Sequence, residues 1–127
     1  MDAASLAALD REAYISLATF RRSGREVATP VWFAVRNGKL YLFSEGTAGK
    51  VKRLRNDARI RIAPCKVRGT VKGEWIDGLG RRVDDLELVE GAYQALLRKY
   101  GWQMRIANFF SRLAGRFDRR AILELEI

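Results

Sequence analysis

Nine basic side chains crowd the stretch from Lys50 to Lys72: Lys50, Lys52, Arg53, Arg55, Arg59, Arg61, Lys66, Arg68 and Lys72. One acid, Asp57, stands against them, so the segment carries +8 of the chain's net +9. Ammonium and guanidinium groups at this density hold anions, and a negatively charged partner is expected. The chain's gaps narrow the chemistry further. It has no histidine and a single cysteine, Cys65. Ser-His-Asp and Cys-His nucleophiles and a histidine general base are therefore excluded, no internal disulfide can form, and a zinc or haem site finds little support. Nucleic-acid grooves interleave aromatic rings with their cations, yet Gly46 to Lys72 contains no Phe, Tyr or Trp. The expected anion is therefore a small molecule, not a nucleic acid.

Two elements must position these cations. Thr47 is the predicted cap of a short helix running to about Asn56, and the amides of Ala48, Gly49 and Lys50 just after it are left without partners. Gly49 lets a ligand come close. At 100° per residue Val51 and Leu54 form an inward stripe, with Lys50 and Arg53 on one flank and Lys52 and Arg55 on the other. Arg59 to Cys65 then alternates as a strand, Ile60 and Ile62 to one face and Arg59 and Arg61 to the other, ending at Pro64.

The flanking chain supplies the frame. Asp2 caps a helix carrying Leu6 and Leu9. Tyr14 to Phe20, Val27 to Val35 and Lys39 to Ser44 read as an antiparallel meander. Its turns are Ser23-Gly24 and Asn37-Gly38, the latter a type I′ signal. Pro30 has no amide to give a ladder, which puts it at an edge, a bulge, or a point where something other than a strand approaches. Gly69 to Val83, interrupted by Gly73, Gly78 and Gly80, is expected to be a bent or bulged strand. Asp84 or Asp85 caps a helix ending at Tyr100, with Gly101 as its stop. A second helix, about Gln103 to Ala114, is expected to bury Ile106, Phe109, Phe110 and Leu113. Ala121 to Ile127 alternates as a last strand. The fold class is therefore mainly β, a six-stranded antiparallel barrel with a few helices, in one domain spanning residues 1–127.

The opening MDAASLAALDRE has no basic n-region, and the longest apolar run is Val31 to Val35. No signal peptide and no membrane span are expected, and the location expected is cytoplasmic.

Several stretches together resemble the pyridoxamine 5′-phosphate oxidase-like split-barrel family. They are ATPVWFAV (Ala28 to Val35), LYLFSE (Leu40 to Glu45), GKVKRLRNDARIRIAPC (Gly49 to Cys65), the pair Arg68-Gly69, and RKYG (Arg98 to Gly101). The similarity runs from about Tyr14 to Leu125 and is strongest to the branch of probable enzymes dependent on coenzyme F-420, a deazaflavin. The resemblance implies an FMN-binding type of split β-barrel and a homodimer with a flavin or deazaflavin in each interface groove. Lys50 corresponds to the residue that contacts the cofactor phosphate, with Gly49 and Ser44 beside it and Arg53 on the same helix. Thr29, Pro30, Val31 and Trp32 correspond to the strand along the ring system, and Ala63, Pro64 and Cys65 to the strand end that flanks it. Leu79-Gly80-Arg81-Arg82 departs from the family pattern, which has a small residue and an arginine after a glycine.

No catalytic side chain and no metal ligand is assigned. Hydride transfer asks the protein to hold a donor ring against an acceptor, and the cofactor supplies the reactive atom. Reduced coenzyme F-420 delivering hydride to an organic acceptor is the leading reading, because its glutamyl tail suits a dense basic segment better than FMN's single phosphate. An FMN-dependent oxidase or reductase on the same fold and a non-enzymatic F-420 carrier are the alternatives. Each site residue also has a plainer role: Trp32 as core, Lys50 and Arg53 as a solvated helix flank, Cys65 as a small buried side chain.

Overall fold

A computed structural model describes residues 1–116 and 119–127. Seven strands occur among the described residues: β1 (Tyr14–Phe20), β2 (Glu26–Val31), β3 (Ala34–Arg36), β4 (Lys39–Glu45), β5 (Arg59–Cys65), β6 (Ile76–Val83) and β7 (Arg120–Glu126). They form a single antiparallel sheet in the order β2-β1-β5-β6-β7-β4-β3. Four helices accompany it: α1 (Ala3–Asp10), α2 (Gly49–Asn56), α3 (Leu86–Tyr100) and α4 (Trp102–Leu113). None of them is long and apolar enough to cross a membrane.

The seventh strand has a local cause. The expected run Val27 to Val35 breaks at Trp32 and Phe33, and its halves, β2 and β3, become the two opposite edges of the sheet. The meander is therefore interrupted, and the barrel is open at this break. Phe33 is fully buried, and its N–H donates to the Tyr100 hydroxyl (3.0 Å) instead of to a strand. The same hydroxyl has one proton for two carbonyls, Ala13 at 2.8 Å and Phe33 at 3.0 Å. A phenol from α3 thus satisfies backbone that a ladder would otherwise pair. Pro30 lies on edge strand β2 opposite Ser16, where its missing amide is tolerated.

Local signals hold elsewhere. Asn37 (φ 51°) and Gly38 (φ 77°) make the β3–β4 hairpin. The Asp2 carboxylate accepts the Ser5 N–H, as anticipated, and of the two candidates for α3 it is Asp85, not Asp84, that caps, accepting the Leu88 N–H. Gly101, at φ 57°, stops α3. Of the stretch expected to run as one bent strand from Gly69, only Ile76–Val83 is strand. The chain before it loops back, joined through the Cys65–Val71 bridge and the Lys72 N–H to Pro64 C=O bond (2.8 Å).

The interior is filled from alternate strand positions, Ile15 and Leu17, Leu40 and Leu42, Ile60 and Ile62, Leu123 and Leu125, and α2 adds Val51 and Leu54. Outside the sheet, Ala92 on α3 joins Tyr41, Val83 and Ile122. The expected burial of α4 is reversed. Ile106, Phe109, Phe110 and Leu113 are 47%, 58%, 61% and 70% exposed, and Trp102 is 69% exposed, while Met104 and Ser111 face inward. The helical period of these residues defines a stripe but says nothing about which side the barrel lies on.

Two features of the sheet carry their own tests. Glu124 is buried on β7 and accepts hydrogen bonds from Tyr41 Oη (2.7 Å), Arg81 Nε (2.9 Å) and Lys39 Nζ (3.4 Å). Burial pushes its carboxyl up, but the Tyr41 and Arg81 hydrogen bonds and the Arg81 and Lys39 charges outweigh burial and hold it below the usual 4.5. Tyr41 is pushed up to about 12, by burial first and then by Glu124. A carboxyl lowered on folding adds stability above its unfolded value, and that stability is lost as pH falls through the folded value. The urea midpoint of Glu124→Gln should therefore lie below that of the wild type at neutral pH, and the gap should close as pH drops below about 4.5. Gly78, on β6, makes room for backbone. A Cβ there would come within 2.5 Å of the Glu126 carbonyl oxygen. Gly78→Ala should lower stability by about 1–3 kcal/mol in denaturant melts, as over-packing does elsewhere.

Candidate anion and cofactor site

The first turn of α2 builds the site. Its N-cap is Ala48, one residue later than expected, and the Thr47 hydroxyl instead donates to Glu45 (3.3 Å). No side chain caps the helix and no acid occupies its first turn. The Gly49 and Lys50 amides make no backbone bond to the turn before them, so they and the positive end of the helix dipole are available to an anion. Val51 and Leu54 bury as anticipated and fix the helix against the barrel core.

Arg53 lies on the flank assigned to it but turns back. Its Nε donates to the buried Thr19 hydroxyl on β1 (2.6 Å), and its Nη1 lies 2.6 Å from where a Gly49 Cβ would stand. Gly49 therefore makes room for the Arg53 guanidinium. Lys50 is half-buried, and burial first, then the Arg53 charge, pulls its ammonium below the ordinary lysine range. Arg53 is lowered in turn by burial and by Arg21. Neither Lys50, Arg53 nor Arg21 makes an ion pair among the described residues.

Three other cations of the basic segment behave differently. Arg59 pairs with Asp57 (2.7 Å), Arg61 with Glu26 (3.2 Å) and Asp77 (3.7 Å), and Lys72 with Glu12 (2.6 Å). Arg59 also covers the Phe20 ring and Arg61 the Trp75 ring, each at 4.8 Å. Acids distant in sequence thus neutralise Arg61 and Lys72, and the neighbouring Asp57 neutralises Arg59. Lys52, Arg55, Lys66 and Arg68 have no ion pair among the described residues either. In Lys50 and Arg53, however, burial is joined by like charge, that of Arg53 on Lys50 and that of Arg21 on Arg53, which an anion would relieve.

Strand β1 is the common neighbour of the other candidates. Pro30 lies opposite Ser16, which lies opposite Ala63, and Val31 lies opposite Ile15, which lies opposite Pro64. Thr29 to Val31 and Ala63 to Cys65 are thus two strands apart, roughly 10 Å, and Thr19 on that same β1 anchors Arg53. Arg21 and Thr19 had no motif to announce them. Their only signals were a basic residue at a strand end and an inward-phased hydroxyl.

No protein-family profile matches the sequence, and no curated protein does. Solved structures do match. The haem storage protein HutZ from Vibrio cholerae aligns with TM-score 0.72 at 13% identity over 98% of this chain and 88% of that one. A provisionally assigned pyridoxamine 5′-phosphate oxidase from Listeria innocua gives 0.63 at 16%, over 96% and 89%. An F420 reductase gives 0.59 at 16%, over 93% and 88%.

The chain has the pyridoxamine 5′-phosphate oxidase-like fold.

In this split barrel two of the expected site residues stand apart from α2. Trp32 occupies the break between β2 and β3 and stacks on Tyr100, centroids 4.5 Å apart and planes 12° from parallel. It packs with the cluster of α3 and α4. Ser44, on β4 opposite Ala121, lines a cleft of about 250 Å³ with Phe110 and Arg116. Cys65 is buried, and burial pushes its thiol up, which makes it inert as a nucleophile.

Proposed function

We propose that this protein is an oxidoreductase that binds coenzyme F-420 and passes hydride from its reduced ring to an organic acceptor. One observation carries the reading: a half-buried Lys50 beside Arg53, itself beside Arg21, next to free helix amides and with no carboxylate paired to any of the three among the described residues. That donor set fits a phosphate. Gly49, Lys50 and Arg53 hold it, and exposed Lys52 and Arg55 on the outer flank of α2 receive the acidic tail. Thr29 to Val31 and Ala63 to Cys65 edge the ring, while Trp32 and Ser44 lie outside this set, Trp32 in the α3/α4 cluster and Ser44 in the cleft with Phe110. The bound deazaflavin supplies the hydride, and the protein's part is to orient ring and acceptor and exclude water.

The fold neighbours include an F420 reductase and a pyridoxamine 5′-phosphate oxidase assignment, which supports a flavin or deazaflavin. HutZ binds haem on the same fold, but a chain without histidine lacks the commonest axial ligand. The reading includes a cytoplasmic homodimer whose second copy completes the groove. Fluorescence titration tests it. F-420 emission should quench to saturation on adding protein, and reduced F-420 should be consumed when conjugated acceptors are supplied. Unchanged emission at excess protein, with FMN bound and the protein yellow, would replace F-420 by FMN. Binding without turnover of any acceptor would make it a carrier.

A further inference from the structure

Viewed down its axis, α4 sets Phe109, Trp102, Leu113, Ile106 and Phe110 on one arc, diametrically opposite Met104 and Ser111, which face the protein. With aromatic side chains at 150–250 Å² each, the arc presents roughly 600 Å² of apolar surface. That is the upper end of what a monomer carries without a partner.

Charge identifies the partner. From Arg98 to Arg120 the sequence holds seven basic residues and one acid, Asp118. Arg105 and Arg112 run along one flank of the arc, and Arg98, Arg116 and Arg119 are exposed beyond its two ends. A second copy docked face to face would set two such basic rims against each other. A single strand of nucleic acid would use rings for stacking, but Ile106 and Leu113 place aliphatic side chains in the middle of the arc. An anionic lipid surface satisfies both properties at once, taking the rings and aliphatic groups among its acyl chains and the guanidinium groups at its headgroups. We infer that α4 seats this protein on anionic membrane surfaces, lying in the plane of the bilayer with the barrel above it. The inference is independent of the cofactor.

Flotation with vesicles tests it on the full chain. The protein should float with phosphatidylcholine vesicles containing phosphatidylglycerol and stay behind with phosphatidylcholine alone. Phe109→Glu should cut the bound fraction at least tenfold, and Arg105→Glu severalfold with a weaker dependence on salt. Both positions are exposed, so urea midpoints should match the wild type and show that neither loss comes from misfolding. Three results would overturn the inference. They are no flotation with either vesicle, equal flotation of wild type and Phe109→Glu, and a Phe109→Glu effect confined to dimer dissociation or oligonucleotide binding.

Discussion

Lys50→Ala should weaken binding of coenzyme F-420 by about 10- to 100-fold, the worth of a charge-assisted contact to phosphate in a partly dry site. The same substitution should leave the urea midpoint unchanged or raise it. The sign follows from linkage. Burial, with the Arg53 charge behind it, lowers the Lys50 pKa, so the fold disfavours the ammonium form. At neutral pH the unbound protein therefore gives up stability to keep this cation, and the loss is relieved as pH rises through the lowered folded value. A lysine that only decorated a solvated flank would leave the affinity unchanged. Lys50→Arg, which keeps the charge, should retain most of the affinity. Paired titrations and denaturation curves of the three proteins decide the matter, and full affinity in Lys50→Ala would remove α2 from the site. Binding should also weaken at alkaline pH earlier than for an ordinary lysine contact.

Tyr100→Phe should cost about 2 kcal/mol, more than most single hydroxyl deletions, because it strands buried backbone. The Phe33 N–H loses its acceptor, and the Ala13 and Phe33 carbonyls lose the donor they share. Packing is preserved, since the phenyl ring still stacks on Trp32. Urea melts measure the loss, and amide exchange localises it: Phe33 should exchange faster while Leu17 and Leu123, within their ladders, stay protected against local opening. If stability falls but Phe33 exchange does not change, the phenol is not what holds the break.

These residues also show how far sequence reading reaches. Asn37-Gly38, the Asp2 and Asp85 caps, Gly101 and the Val51/Leu54 stripe act through neighbours a few positions away, and each was legible. The break at Trp32-Phe33 was not, because its cause is a hydroxyl on α3, a separation of 67 residues. The orientation of α4 was hidden for a related reason. A stripe of Ile106, Phe109, Phe110 and Leu113 has the same period whether it faces in or out. At the site, Lys50 and Arg53 stood out by type and spacing. Which cations of the basic run were already balanced depended on Glu12, Glu26 and Asp77, remote in sequence. Ser44, five residues before Gly49, lines a different cleft because the chain turns between β4 and α2.

The place of β7 in the sheet has a kinetic meaning. It follows every other strand in the chain, yet it lies between β6 and β4. As the polypeptide leaves the ribosome, β2-β1-β5-β6 and the β3–β4 hairpin can each assemble, but no strand ladder joins them until β7 arrives. During that interval β4 and β6 both expose unpaired edges, the state in which β-rich chains pair wrongly with one another. Refolding should accordingly be slow for a chain of this length, being governed by long-range pairing and not by its helices. Yield on expression should depend more on the integrity of Arg120–Glu126 than on any other strand.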